Sequence, residues 1–164
     1  MKSNIENRIA NLEKELNRIK DLYNKTIKYQ KDDPEVSLSQ ARKSAEGICK
    51  QIYINEGLEK GGKPAGKMML NDLISSLVRC NKVPPHVVIS LGTIQAFGNF
   101  GTHDQGLESE NITEDFIKPC LGALSTVVVW YFTKYHKRSE LLETKPKQAE
   151  DKVKQKNKVK QKDK

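Results

Sequence analysis

From Ile5 to Tyr23 the apolar side chains Ile5, Ile9, Leu12, Leu16, Ile19 and Tyr23 follow one another in alternating steps of four and three. That is the heptad spacing, which only an α-helix gathers onto one face. Helical spacing returns in four later segments, each fenced by proline, glycine or asparagine, and almost nothing in the chain reads as strand. An all-α fold is therefore expected. The charges Glu6, Arg8, Glu13 and Glu15 flank the seam where interhelical pairs form in coiled coils. The repeat lasts about three heptads, so two readings stand side by side: a helix that packs on its own domain, and one that self-associates.

Lys31-Asp32-Asp33-Pro34 breaks this first helix, because proline lacks the backbone donor and biases its predecessor to extended geometry. A second helix is expected to open at Ser37, with Gln40 completing a capping box, and to carry Leu38, Ala41, Ala45, Ile48 and Ile52 as its apolar stripe until Gly57. Lys60-Gly61-Gly62-Lys63-Pro64-Ala65-Gly66-Lys67 is glycine-rich and basic, yet it lacks the order of a phosphate-binding loop, precedes Met68 and follows no strand. A flexible connector is the expectation there. The third helix runs from Met68 to about Cys80 with Met69, Leu70, Leu73, Ile74 and Leu77 on one side. Asn81 stops it, and Pro85 suits the first turn of a fourth helix that buries Val88, Leu91, Ile94 and Phe97. Gly98 and Gly101 are expected to end that helix and to turn Asn99 and His103 onto one concave corner. A fifth helix, capped by Thr113 with Glu114 and Asp115 in its first turn, reaches about Tyr135. Val127, Val128, Val129, Trp130, Tyr131 and Phe132 make it apolar nearly all round, which suits the centre of a bundle or an oligomer interface.

With 164 residues, 30% charged and 36% hydrophobic, the chain supports one modest domain and polar flanks. The formal charge of +8 is concentrated at the end: residues 137–164 hold eleven Lys or Arg against five Asp or Glu, a net of +6, leaving +2 for residues 1–136. This lysine-rich tail buries too little to fold alone. The division expected is a heptad helix over 1–31, a helical bundle over 36–137 and a disordered tail over 138–164. Cys49, Cys80 and Cys120 are far apart and odd in number, which points to neither disulfides nor zinc and fits a reducing cytoplasm. No export signal precedes the first helix, and the uncharged run Pro119–Thr133 falls short of the roughly 20 residues that cross a bilayer, so no membrane is expected.

Four segments taken together, A-R-K-S-A-E at Ala41–Glu46, L-I-S-S-L at Leu73–Leu77, I-Q-A-F-G-N-F-G-T-H-D at Ile94–Asp104 and I-T-E-D-F at Ile112–Phe116, resemble the HEPN-like helical domains. The branch they look like is one of unknown function that recurs in bacterial defence and restriction-associated proteins. The resemblance spans roughly Leu38 to Tyr135. It implies a four- to five-helix HEPN-like bundle, commonly paired into dimers. In catalytic members an Arg, a polar residue and a His form a metal-independent ribonuclease site across the dimer. Imidazole moves the protons and guanidinium answers charge on the phosphate. By that resemblance His103 and Asn99 are the candidate catalytic residues, with Arg42, Glu46, Gln95 and Asp104 as candidate binding residues. The position before Asn99 is Gly98, and no Arg lies between Ile89 and His103. Arg79, Lys82 or Arg42 would have to supply the cation from elsewhere in space. Arg42 and Glu46, spaced i,i+4, also suit a plain ion pair on the helix surface.

The expected function is a non-catalytic interaction or regulatory module that forms a homo-oligomer, a dimer first of all, with a further protein partner in a bacterial defence or toxin-type system. One alternative is RNA or DNA binding through Lys152, Lys154, Lys156, Lys158, Lys160 and Lys162. Another is a metal-independent endoribonuclease with a degenerate motif. None of these needs a cofactor or a metal.

Overall fold

The computed structural model describes residues 3–102 and 112–142, and its elements there are helical: α1 (Asn4–Tyr29), α2 (Pro34–Asn55), α3 (Leu70–Cys80), α4 (Pro85–Thr102) and α5 (Glu114–Trp130), with short 3-10 turns and one π-turn between or after them. The protein is an all-α bundle. Helix α1 begins in a reciprocal cap, Ser3 Oγ accepting from the Glu6 amide at 3.3 Å and Glu6 Oε2 accepting from the Ser3 amide at 3.1 Å. Its seam then divides. Leu16 and Ile19 are fully buried in the common core, whereas Ile5 and Ile9 on the same line are 69% and 51% exposed.

Helix α2 starts three residues before the expected Ser37. Asp33 caps it by accepting from the Val36 amide at 3.2 Å, and Pro34 takes the first helical position, where its missing donor costs nothing. The proline read as a breaker is thus also the start. Ser37 instead donates to the Thr26 carbonyl at 2.6 Å and ties the α1–α2 corner. At the far end Gly57 adopts φ +71°, the left-handed conformation that a glycine takes without strain.

The bundle centre is α2, which packs against α1, α3, α4 and α5. Small residues of α2, Ala41, Ser44, Ala45, Gly47 and Cys49, are buried and let neighbouring helices come close on several sides, whereas α5, suited by its sequence to a bundle centre or an oligomer interface, lies beside α2. Helix α5 packs on α4, α2 and α1. It leaves Val129 48% exposed while burying Val127, Val128 and, in the following π-turn Tyr131–Tyr135, Tyr131 and Phe132. Phe97 of α4 and Phe116 of α5 meet with ring centroids 5.3 Å apart.

Two further boundaries differ. Helix α3 begins at Leu70, with Met69 outside it and 63% exposed. Helix α4 continues through Gly98 and Gly101 to Thr102. An interior glycine disfavours helix by only about 1 kcal/mol, which an otherwise well-packed helix absorbs. Gly98 therefore does not end the helix as expected.

Candidate functional site

Asn99, half of the candidate catalytic pair, lies on the last turns of α4 rather than on a turn after it, and its side chain falls outside the described residues, as do His103 and Asp104. Lys152, Lys154, Lys156, Lys158, Lys160 and Lys162 also lie outside them. Arg42 and Glu46 are half-buried on α2 and Gln95 is half-buried on α4, two helices in direct contact. Glu46 pairs with Lys50 one turn on, Oε1 to Nζ at 2.9 Å. Arg79, considered as a stand-in cation, sits on α3.

A second arrangement carries no signal in the apolar pattern. The glycine-rich segment is not a loose connector. It forms the 3-10 turns Leu58–Gly61 and Ala65–Lys67, Tyr53 donates its hydroxyl to the Lys63 carbonyl at 2.8 Å, and the Ala65 amide donates to the Glu59 carboxylate at 3.1 Å. Ala65 itself is buried. The strap approaches α2 so closely that a Cβ on Gly62 would stand 2.8 Å from Tyr53 Oη. Between strap and α3 lies a cleft of about 600 Å³ lined by Tyr53, Lys63, Asp72, Ser76 and Arg79 among others.

At the same, carboxyl-terminal end of α2 the π-turn builds an aromatic cluster. Tyr131 and Tyr135 stack with centroids 5.7 Å apart, and His136 stands edge-on to both at 4.6 and 4.8 Å. His136 is thus half-buried against two aromatic rings. Burial, reinforced by the Arg138 charge, holds its imidazole below the ordinary histidine range, and burial raises the Tyr131 phenol. Tyr131 Oη and His136 Nε2 have no hydrogen-bond partner among the described residues. Arg138 follows, bonded to Glu140 at 2.6 Å and to Glu13 of α1 at 3.2 Å. Beside this cluster a groove of about 390 Å³ runs along α1, lined by Ile5, Arg8, Ile9, Leu12, Asn55 and His136.

The helical run Glu114–Tyr135, 22 residues long, is long and apolar enough to cross a membrane, with 44% of its most apolar window buried inside the bundle. The uncharged run Pro119–Thr133 understated it, because Lys118 and Lys134 extend the helix without making its average polar. Its buried face, including Ile117, Leu124, Val127 and Val128, is core. Among the described residues no group of His, Cys, Asp and Glu is arranged to hold a metal. Neither protein-family models, curated sequences nor solved structures give a match to this chain.

Proposed function

We propose that the protein is a non-catalytic helical interaction module that pairs with a second copy of itself through the amino-terminal half of α1, in the cytoplasm. The observation that carries this reading is the division of one heptad seam: Leu16 and Ile19 are spent in the core, while Ile5 and Ile9 stand exposed beside the groove at His136. Adjacent apolar side chains on one exposed helical stripe mark a surface that gains by being covered. Of the flanking charges, Glu6 caps its own helix, Glu13 holds Arg138 and Glu15 holds Arg18, so pairing rests on the isoleucines and Arg8 rather than on a ladder of ion pairs. The HEPN-like relationship, with its bacterial defence or toxin-type setting, enters the proposal on the sequence motifs at Ala41–Glu46 and Ile94–Asp104. A ribonuclease role for His103 and Asn99 has less support, since no Arg lies between Ile89 and His103.

Light scattering on the eluting protein tests the reading. A dimer that becomes a monomer in the Ile5→Glu/Ile9→Glu variant is expected. A wild-type chain that is monomeric at every accessible concentration sinks it.

A second reading is favoured by one specific observation, the net charge of +6 confined to residues 137–164. Those lysines would hold RNA or DNA by phosphate contacts, with affinity falling steeply as salt rises. Few aromatics accompany them, so little base discrimination is expected. Nucleic-acid retention that is the same in a chain ending at Leu142 excludes the tail as the binding element.

A further inference from the structure

The strap over α3 has features that a passive connector does not require. It is held to α2 by the Tyr53 hydroxyl on the Lys63 carbonyl and folded on itself by Glu59 on the Ala65 amide, and a cleft lies between it and α3. Pinning a glycine-rich segment has an entropic cost that this geometry must offset. The opposite wall is one stripe of α3. Asp72, Ser76 and Arg79 are spaced i, i+4, i+7 and all line the cleft. Arg18 and Arg138 are paired with carboxylates, whereas Arg79 makes no ion pair or hydrogen bond among the described residues. Asp72 and the Ser76 hydroxyl are likewise unengaged there.

The spacing keeps Asp72 and Arg79 from neutralising each other. Seven residues of helix are about 10 Å of rise, well beyond an ion pair. Along α3 the cleft therefore presents a guanidinium at one end, a carboxylate at the other and a hydroxyl between them, and Lys63 lines the same cleft. A complementary ligand is about that long, anionic at one end and rich in hydrogen-bond donors at the other. The volume of about 600 Å³ lies in the range of small-molecule sites.

We propose that this cleft binds a nucleotide-sized phosphate monoester, with its phosphate on Arg79 and Lys63 and its hydroxyl or amino donors toward Asp72. Guanidinium is suited to the phosphate because its fork of donors matches two oxygens at once. The carboxylate then orients the ligand and disfavours anions that lack a donor-bearing body.

The test is calorimetric titration of the full chain with adenosine monophosphate, and separately with inorganic phosphate, beside Arg79→Ala and Asp72→Asn. Arg79 and Asp72 are exposed, so neither change threatens the fold. Saturable nucleotide binding, weakened about tenfold by Arg79→Ala, is expected for loss of a charge-assisted contact. Asp72→Asn should weaken the nucleotide and leave inorganic phosphate unchanged. No saturable binding of the nucleotide overturns the proposal. Binding that is equal in Arg79→Ala also overturns it and assigns the phosphate to lysines elsewhere, including the tail. Asp72→Asn acting equally on both ligands overturns the orientation.

Discussion

Tyr135 donates its hydroxyl to Glu56 Oε1 at 2.9 Å, joining the end of the last helical run to the carboxyl-terminal cap of α2 across 79 residues of sequence. Burial and the bond to Glu56 both raise the phenol, so it remains a donor throughout the physiological range. Hydrogen bonds to charged groups contribute more than neutral ones. Tyr135→Phe is expected to lower unfolding free energy by about 1–2 kcal/mol in urea titration. Glu56→Gln, which keeps an acceptor, should cost less. Equal losses in the two variants would mean that the ionised form of Glu56 adds nothing to this contact.

The two halves of the α1 seam should separate cleanly under mutation. Leu16→Ala and Ile19→Ala each remove fully buried side chains and should cost about 2–5 kcal/mol. Ile5→Ala and Ile9→Ala, at exposed positions, should change monomer stability by less than about 0.5 kcal/mol while lowering the mass measured at a fixed concentration. Denaturation combined with light scattering reads both quantities. A large stability loss from Ile9→Ala without a change in mass would place that residue in the protein's own core.

Helix existence was legible because each apolar stripe had a local punctuation to bound it. Thr113 caps α5 by accepting from the Phe116 amide at 3.2 Å, Asn81 ends α3 at φ +56°, and Pro85 opens α4, all as the residue chemistry predicts. The same punctuation misled where a residue has two uses. Pro34 both ends one helix and starts the next, and the glycines at 98 and 101 sit inside a helix because nothing forces φ positive there. The cap at Ser3–Glu6 was readable as S-x-x-E, but the heptad reading had assigned Glu6 to an interhelical pair. The central place of α2 left only a weak trace, since buried Ala, Ser and Gly register as little hydrophobicity even when they decide how closely helices approach. The strap cleft was illegible for a different reason: Tyr53 and Lys63 are brought together by a turn whose path depends on tertiary contact.

Gly62 and Tyr53 provide a coupled test of that turn. A Cβ at Gly62 would lie 2.8 Å from Tyr53 Oη, so Gly62→Ala should displace the strap or the ring and cost about 1–3 kcal/mol. Tyr53→Phe removes the obstructing oxygen together with its bond to the Lys63 carbonyl, at about 1 kcal/mol. The double variant should be more stable than the sum of the two losses predicts. Strict additivity would show that the two residues do not share this contact.

The three cysteines should differ in reactivity. Burial pushes the Cys49 thiol up to about 12 with help from Glu46, and burial alone takes Cys120 to about 12. Cys80 is only partly buried, with its thiol donating to the Leu77 carbonyl at 3.2 Å. Thiolate is the reactive form, so a folded chain given a thiol reagent at pH 8 should label first at Cys80, followed by the other two on unfolding. Mass spectrometry of the labelled peptides checks the order, and rapid labelling of Cys49 in the folded state would contradict the packing of α2.

His136 should make stability depend on pH between the unfolded histidine value of about 6.5 and its lower folded value. In that window the unfolded chain binds a proton that the folded chain does not, so stability rises with pH. The contribution is complete above about 6.5 and is lost as the pH falls through the window, with about 1.4 kcal/mol per pH unit as the ceiling that one group can reach. Tyr131 and Tyr135 face the imidazole, Arg138 adds positive charge, and Arg8 lines the same groove, so no carboxylate among these neighbours favours protonation. His136→Gln should flatten the dependence, and Arg138→Ala should reduce it in part while also breaking the link to Glu13. Urea midpoints measured from pH 7.5 down to pH 5 decide the matter. A wild-type slope that persists unchanged in His136→Gln would assign the titration to another group.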